Sequence, residues 1–168
     1  MAHTGRVVMA ALVLLAGVVP GIAGDRQFTF TVKKGDKLDV RLQSGSIAVQ
    51  TWDKDEVSLR VHSAGDQDLS EVSATQGGGT ILVEDNGGNE LQVVARVPAT
   101  FDLDLRTGAG EIGIKGSITG EVRTSTGGGD VAVGKTTGSV QVQTAGGDIQ
   151  TEEVNGDVRL IPPVGASR

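Results

Sequence analysis

The sequence predicts an all-β chain, a parallel β-solenoid (β-helix/β-roll-like) with rungs of two short strands and about 18 residues. Two observations carry the prediction. Glycine, 26 of 168 residues, recurs at a fixed step, and β-branched residues alternate with polar ones between the glycines. Glycine at that density otherwise signals disorder or collagen. Its periodicity sets it apart from both.

The step is read from Thr107-Gly-Ala-Gly110-Glu-Ile112, Thr126-Gly-Gly-Gly129-Asp-Val131 and Thr144-Ala-Gly-Gly147-Asp-Ile149. Gly110, Gly129 and Gly147 are 19 and then 18 residues apart. A second series, Gly120-Glu-Val122, Gly138-Ser-Val140 and Gly156-Asp-Val158, recurs at 18 and 18. Between glycines the side chains alternate. Val140, Val142 and Thr144 share one face and Gln141 and Gln143 the other, because successive strand residues point to opposite sides. Leu103, Leu105 and Thr107, then Val122, Thr124 and Thr126, fall in the same columns. Stacked rungs pair as parallel strands about 4.8 Å apart, and two sheets enclose an aliphatic core. One rung cannot bury its apolar face alone, so the stack is the folding unit.

Ahead of the repeats, Phe28–Val32, Leu38–Leu42, Ile47–Val49 and Val57–Val61 alternate as strands. Asp53–Glu56 and Asp85–Asn89 read as hairpin turns, the second linking Ile81–Val83 to Leu91–Val97. This half is expected to supply wider or antiparallel rungs that cap one end. Pro162-Pro163 is expected to end the last strand and blunt its edge, since proline lacks an N–H. Residues 1–23 read as a secretory signal: Arg6, then the uncharged run Val7–Val19, then Pro20-Gly21 and a cut after Ala23. The run is shorter than the roughly 20 apolar residues that span a bilayer, though a retained anchor is the alternative. Residues 24–168 then form one domain, with irregular strands over 25–100 and regular rungs over 101–161. The expected location is exported: periplasm, outer envelope or extracellular.

Without Arg6 the chain holds 14 Lys and Arg against 21 Asp and Glu, an acidic balance that disfavours phosphate backbones and hence nucleic acid. There is no Cys, so neither a disulfide nor a thiol site is available. The order Gly45-Ser-Ile-Ala-Val, Thr51-Trp-Asp-Lys-Asp-Glu-Val57, Val97-Pro-Ala99 and the Thr-x-x-Gly-Asp-Ile repeats resembles the bacterial "putative adhesin" group, the domain of unknown function 4097. The resemblance covers nearly all of the mature chain. It implies a β-solenoid in exported or membrane-attached proteins, and brings no catalytic residues with it.

The chemical inventory is thin. His62 is the one histidine outside the signal, and it should face solvent beside inward Val61; a general base needs an oriented partner and a cleft. Glu111, Asp130 and Asp148 occupy equivalent places and should stack on one edge, with Glu121, Ser139 and Asp157 opposite. The first column is a candidate cation ladder; the competing reading is that Asp after Gly satisfies turn N–H groups. Calcium β-rolls place their apolar residue two after Asp, whereas Val131 directly follows Asp130, so the phase differs. The threonine column (Thr107, Thr126, Thr144) should point inward or into the turn, which does not make an ice-binding face. Trp52 reads as a cap on a core beside its turn, against the alternative of a sugar platform. No cofactor is expected. The leading function is a non-catalytic, adhesin-like envelope module that contacts an unknown envelope protein or glycan, or associates with itself through its solenoid ends. The alternatives are a carbohydrate-active enzyme on stacked carboxylates and a passive spacer.

Overall fold

The computed structural model describes residues 25–63, 69–88 and 90–161. The signal segment with its cut after Ala23 and the Pro162-Pro163 stop lie outside them. Among the described residues fifteen strands follow one another: β1 (Asp25–Thr31), β2 (Lys37–Leu42), β3 (Ser44–Trp52), β4 (Glu56–Ser63), β5 (Val72–Gly77), β6 (Thr80–Asp85), β7 (Glu90–Pro98) and β8 (Asp102–Thr107). Then come β9 (Ile112–Thr119), β10 (Val122–Thr126), β11 (Val131–Thr137), β12 (Val140–Thr144), β13 (Ile149–Thr151), β14 (Val154–Asn155) and β15 (Val158–Ile161). A short 3-10 turn, Leu69–Glu71, precedes β5. Among the described residues no helix is long and apolar enough to cross a membrane.

The strands form two sheets. One runs β1-β4-β7-β3-β9-β11-β13, with β14 also on β11; the other runs β15-β12-β10-β8-β2-β6-β5. Inward residues of both sheets meet in one core: Ile47, Ile112 and Val131 from the first, Leu38, Leu103, Val122 and Val140 from the second, all nearly inaccessible. Phe101, on the connection between β7 and β8, is the largest fully buried side chain. The alternation seen in sequence is the burial pattern observed. Val140, Val142 and Thr144 are buried, while Gln141 and Gln143 are not.

The repeat registers follow the glycine steps. Leu103 pairs with Val122, Val122 with Val140 and Val140 with Val158, all parallel. The one step of 19 has a local cause. Val133 pairs with Ile114 but Lys135 pairs with Ser117, so β9 carries one extra residue as a bulge, and bulges absorb such insertions. The bulge falls at Gly116, whose positive φ of 100° suits a residue without Cβ. Elsewhere glycine answers to close approach. A Cβ on Gly129 would run into the Gly110 carbonyl, and one on Gly147 into that of Gly129.

The N-terminal half departs from two expectations. The Asp53–Glu56 turn does not make a hairpin, because β7 lies between β3 and β4. The Asp85–Asn89 segment does not either: β6 and β7 belong to opposite sheets, so the chain passes from one sheet to the other there. Turn-rich residues between alternating runs favour reversal but do not say whether the chain returns beside itself or across a sandwich. The real hairpin joins β5 to β6 antiparallel through Gly78-Gly79, both with positive φ, as a tight primed turn demands. The Gly77-Gly-Gly79 run was its signal in the sequence.

Antiparallel strands do cap one end, as expected, with β1 on β4 and β5 on β6. The parallel layers beneath are not in chain order. β6 and β7 sit outside β2 and β3, while β8 and β9 pair with β2 and β3 from the other side.

Candidate functional site

Two surfaces and one end hold the polar and apolar groups left over from the core. On the outer face of the β8 sheet, parity points Asp39 and Asp104 outward, yet both are buried. They are neighbours in register, as are Arg41 and Arg106. Each arginine folds back two residues along its own strand onto its carboxylate. Arg41 donates from Nε to Asp39 Oδ1 at 3.1 Å and from Nη2 to Oδ2 at 2.9 Å. Arg106 does the same to Asp104 at 3.0 and 3.1 Å. Lys37 Nζ lies 3.5 Å from Asp104 and Arg41 Nη1 3.6 Å from Glu84.

Burial pushes the Asp104 carboxyl up, but the hydrogen bond and charge of Arg106, with Lys37, outweigh it and hold it below its ordinary value. Bidentate pairing of this kind is strong and directional. Next along the sheet, Arg123 reaches Glu121 at 2.6 Å. A shallow depression of about 270 Å³ lies here between Arg106, Arg123, Gln141 and Gln143. The four residues Asp39, Arg41, Asp104 and Arg106 were absent from the sequence-based candidates. Their signal was an internal echo, Leu38-Asp-Val-Arg41 against Leu103-Asp-Leu-Arg106.

Glu111, Asp130 and Asp148 do follow one another across the other sheet, each one residue before the registered set Ile112, Val131 and Ile149. All three are exposed. Their main-chain carbonyls accept from Ile47, Ile112 and Val131, and Asp130 Oδ1 accepts from the Asp148 N–H at 2.8 Å. That contact is the turn-satisfying role set against the cation ladder. Charges about 4.8 Å apart in water repel by only ~1 kcal/mol, so the column persists without an ion. Among the described residues no group of three His, Asp or Glu has metal-binding geometry. In the opposite column Glu121, Ser139 and Asp157 accept from Leu103, Val122 and Val140 through their carbonyls.

The threonine column is buried. Thr107, Thr126 and Thr144 donate to the carbonyls of Gly45, Gly110 and Gly129 at 2.9, 2.9 and 3.1 Å, stitching successive layers at the turn. His62 is exposed, its Nδ1 meets Asp25, and it borders a shallow depression of about 380 Å³ with Ser46, Gln92 and Glu111. Trp52 donates from Nε1 to Glu56 O at 2.7 Å, and Lys54 lies 5.0 Å over its ring. It secures the turn after β3 from the outer face, on the parity of Ala48 and Gln50, and so does not cap the core as expected.

The two ends of the stack differ most. At one end Phe28, Phe30, Leu69 and Val72 are buried. There Arg26 of β1 donates from Nη1 to Leu69 O at 2.7 Å and Val72 O at 2.9 Å, and Gln76 of β5 donates to Thr31 O at 2.8 Å. The edge strands of the two sheets are thereby tied together. At the other end Val158 and Leu160 continue the inward columns of Val140 and Val142, but stay 47% and 46% exposed.

Comparison with known proteins gives one family. The model described as Toastrack DUF4097 matches residues 15–159. No curated protein matches the chain. Among solved structures it is similar to a putative adhesin from Bacteroides fragilis NCTC 9343, at 9% identity and a TM-score of 0.35 over 82% of this chain and 97% of that one. It is also similar to a putative cell adhesion protein from Clostridium sporogenes ATCC 15579, at 8% identity and 0.38 over 82% and 99%. A third is a putative lipid binding protein from Parabacteroides distasonis ATCC 8503, at 16% identity and 0.42 over 84% and 68%.

Proposed function

Since the chain belongs to the Toastrack DUF4097 family, we propose that it is an exported, non-catalytic module of the cell envelope, adhesin-like, joined to its surroundings through one open end. In this reading residues 24–168 are a single parallel β-solenoid domain on a step of about 18 residues. The observation that carries it is the exposure of Val158 and Leu160 on the edge strand β15. A parallel edge presents unpaired N–H and C=O groups, and here it also presents half-buried core side chains. That combination suits an added strand, from a second copy or an envelope partner. The non-catalytic reading is supported by the site chemistry: the strongest charge cluster is spent on ion pairs between its own side chains.

The test is sedimentation at rising protein concentration in about 0.5 M salt, where charge contacts are screened within a few Å. Reversible association that Leu160→Lys removes is the expected result. A wild-type protein that stays strictly monomeric there, and captures no envelope partner that Leu160→Lys releases, overturns the open-end reading.

A further inference from the structure

The two outer faces leave their cations in different company. On the β8 sheet, Lys37, Arg41, Arg106 and Arg123 all have carboxylate partners beside them. On the β3 sheet Arg60, Arg96 and Lys115 are exposed, and among the described residues none of them has an ion-pair partner. The carboxylates of the adjoining turn, Asp53, Asp55 and Glu56, pair with none of the three. This is unusual in a chain that, Arg6 set aside, has 14 Lys and Arg against 21 Asp and Glu.

The strand registers place the three around a shallow trough. Its floor is a row of small side chains across the strands: Val94, Ala48 and Gly113, neighbours on β7, β3 and β9. Gly113 has no positive φ, and a Cβ there would meet nothing within 4 Å. Arg60, paired in register with Val94, closes one end. Arg96 and Lys115, both in register with Gln50, stand along one side. The facing side is neutral at Gln92 and Ser46, which are paired in register, and turns acidic at Glu111. Arg96 and Lys115, two strand spacings apart, are separated by about 10 Å along the backbone frame. Arg60 is a diagonal neighbour of Arg96, about 8 Å away. At the Arg60 end the surface sinks into a depression of about 160 Å³ bounded also by Gln27, Ser58, Val94 and Arg96.

Two further features equip this end for a ligand. Val94 is 38% accessible and one of three exposed large apolar residues; the other two are at the open end. Arg96 lies 6.0 Å from the ring of Trp52, which is itself held by Glu56 O. The guanidinium therefore has an aromatic support on one side.

We propose that this trough binds a short segment of a linear acidic glycan, one whose sugars carry carboxylates. Two guanidiniums and one ammonium without partners match carboxylates, which arginine takes in a bidentate fork. Gln27, Ser58 and Gln50, set among the cations, bond hydroxyls, and Val94 offers an apolar contact to the C–H face of a ring. An acidic peptide fits less well. The backbone groups of these inner strands are already bonded to neighbouring strands, so a peptide main chain gains nothing there. An anionic membrane fits less well too. A plane laid on this face would also meet exposed Glu111, Asp130 and Asp148, in a row about 13 Å along the strands from Lys115. A single chain follows the floor from Arg60 to Gly113 and stops short of Asp130.

Calorimetry of the purified protein with an oligogalacturonate in about 0.05 M salt tests this. Trp52, the only tryptophan, serves as a fluorescent reporter beside Arg96. Binding that shifts the Trp52 emission and is largely lost in about 0.5 M salt is expected. Arg60→Gln and Arg96→Gln should each weaken it about fivefold, and Lys115→Gln about threefold. Melting temperatures should not change, since all three side chains are exposed. Gly113→Glu, which puts a negative charge on the floor from open space, should abolish binding. The fully methyl-esterified oligomer, with the same sugars and no charge, should bind about tenfold more weakly. Leu160→Lys should bind as the wild type does, so this surface is judged apart from the open end. No binding at millimolar oligogalacturonate, or binding that all three glutamine variants leave intact, overturns the proposal. Tighter binding of a polyglutamate of equal charge, or of phosphatidylglycerol vesicles, overturns it in favour of a peptide or a membrane.

Discussion

The closed and open ends of the stack use the same strand chemistry to opposite effect. At the closed end β4 and β5 run against the parallel layers and β1 lies antiparallel on β4, and Arg26 and Gln76 tie the edges of the two sheets together. At the other end β15 is, among the described residues, the edge of its sheet. Val158 and Leu160 are placed as core residues and covered on one side only. A repeating stack does not terminate itself, because each layer leaves an edge equivalent to the one it covered. Termination needs a segment that breaks the repeat. Here the irregular N-terminal half contains that segment.

The widest separation between the ends should come from truncating equivalent leucines. Leu59, fully buried in β4, should cost about 2–5 kcal/mol on change to alanine. Leu160→Ala should cost only about 1 kcal/mol, since roughly half its transfer energy is already forgone. Denaturant unfolding of both variants decides it, and comparable losses would show that the open end is covered after all.

A smaller effect is expected midway between the ends. The column that ends at Leu160 passes through Val142, Thr124 and Leu105. Thr124 Oγ1 is buried with no hydrogen-bond partner among the described residues. Thr124→Val keeps the shape and removes an unsatisfied hydroxyl, so stability should rise by about 1 kcal/mol. Thermal melting measures it. In contrast, Thr126, two residues further along β10, bonds the Gly110 carbonyl, and the same change there should destabilise.

The smallest effect is electrostatic and belongs to β8, the middle strand of its sheet. Asp104 is held below its ordinary carboxylate value in the folded chain, as its pairing with Arg106 and Lys37 outweighs burial. A carboxyl with a lowered folded value contributes stability above its unfolded pKa, about 3.9. The contribution is lost as pH falls through the folded value. Asp104→Asn should therefore lower stability at pH 7 by about 1 kcal/mol or less, given the exposed arginine, and flatten the acid limb below about pH 4. An acid limb identical to wild type would show that the pair carries no net stability.

Much of this was legible in the residues. Period-two alternation is local, so inward Val140 and outward Gln141 follow from neighbours in sequence, and the threonine column followed from the same parity. The glycine steps gave the registers of β8, β10, β12 and β15; the step of 19 was visible, but its cause, a bulge in β9, came only from the strand pairing. The carboxylate column was placed correctly, but its hydrogen bond from Asp148 N–H to Asp130 was a matter of side-chain geometry. Asp39 and Asp104 escaped notice because parity assigned them to solvent. Their burial arises only when two strands 65 residues apart in register lie side by side with their arginines folded over them.

What the sequence determined by itself is therefore the all-β character, the repeat and the face each side chain takes, all properties set within a few residues. Tertiary structure alone decided that β6 and β7 stack outside β2 and β3, that two turn-rich segments are not hairpins, and that Asp39 and Asp104 are buried beneath their own arginines. Those outcomes depend on which strand edge is free when the next segment docks. Backbone edges look alike to any strand, so their order is chosen by the packing of the whole molecule.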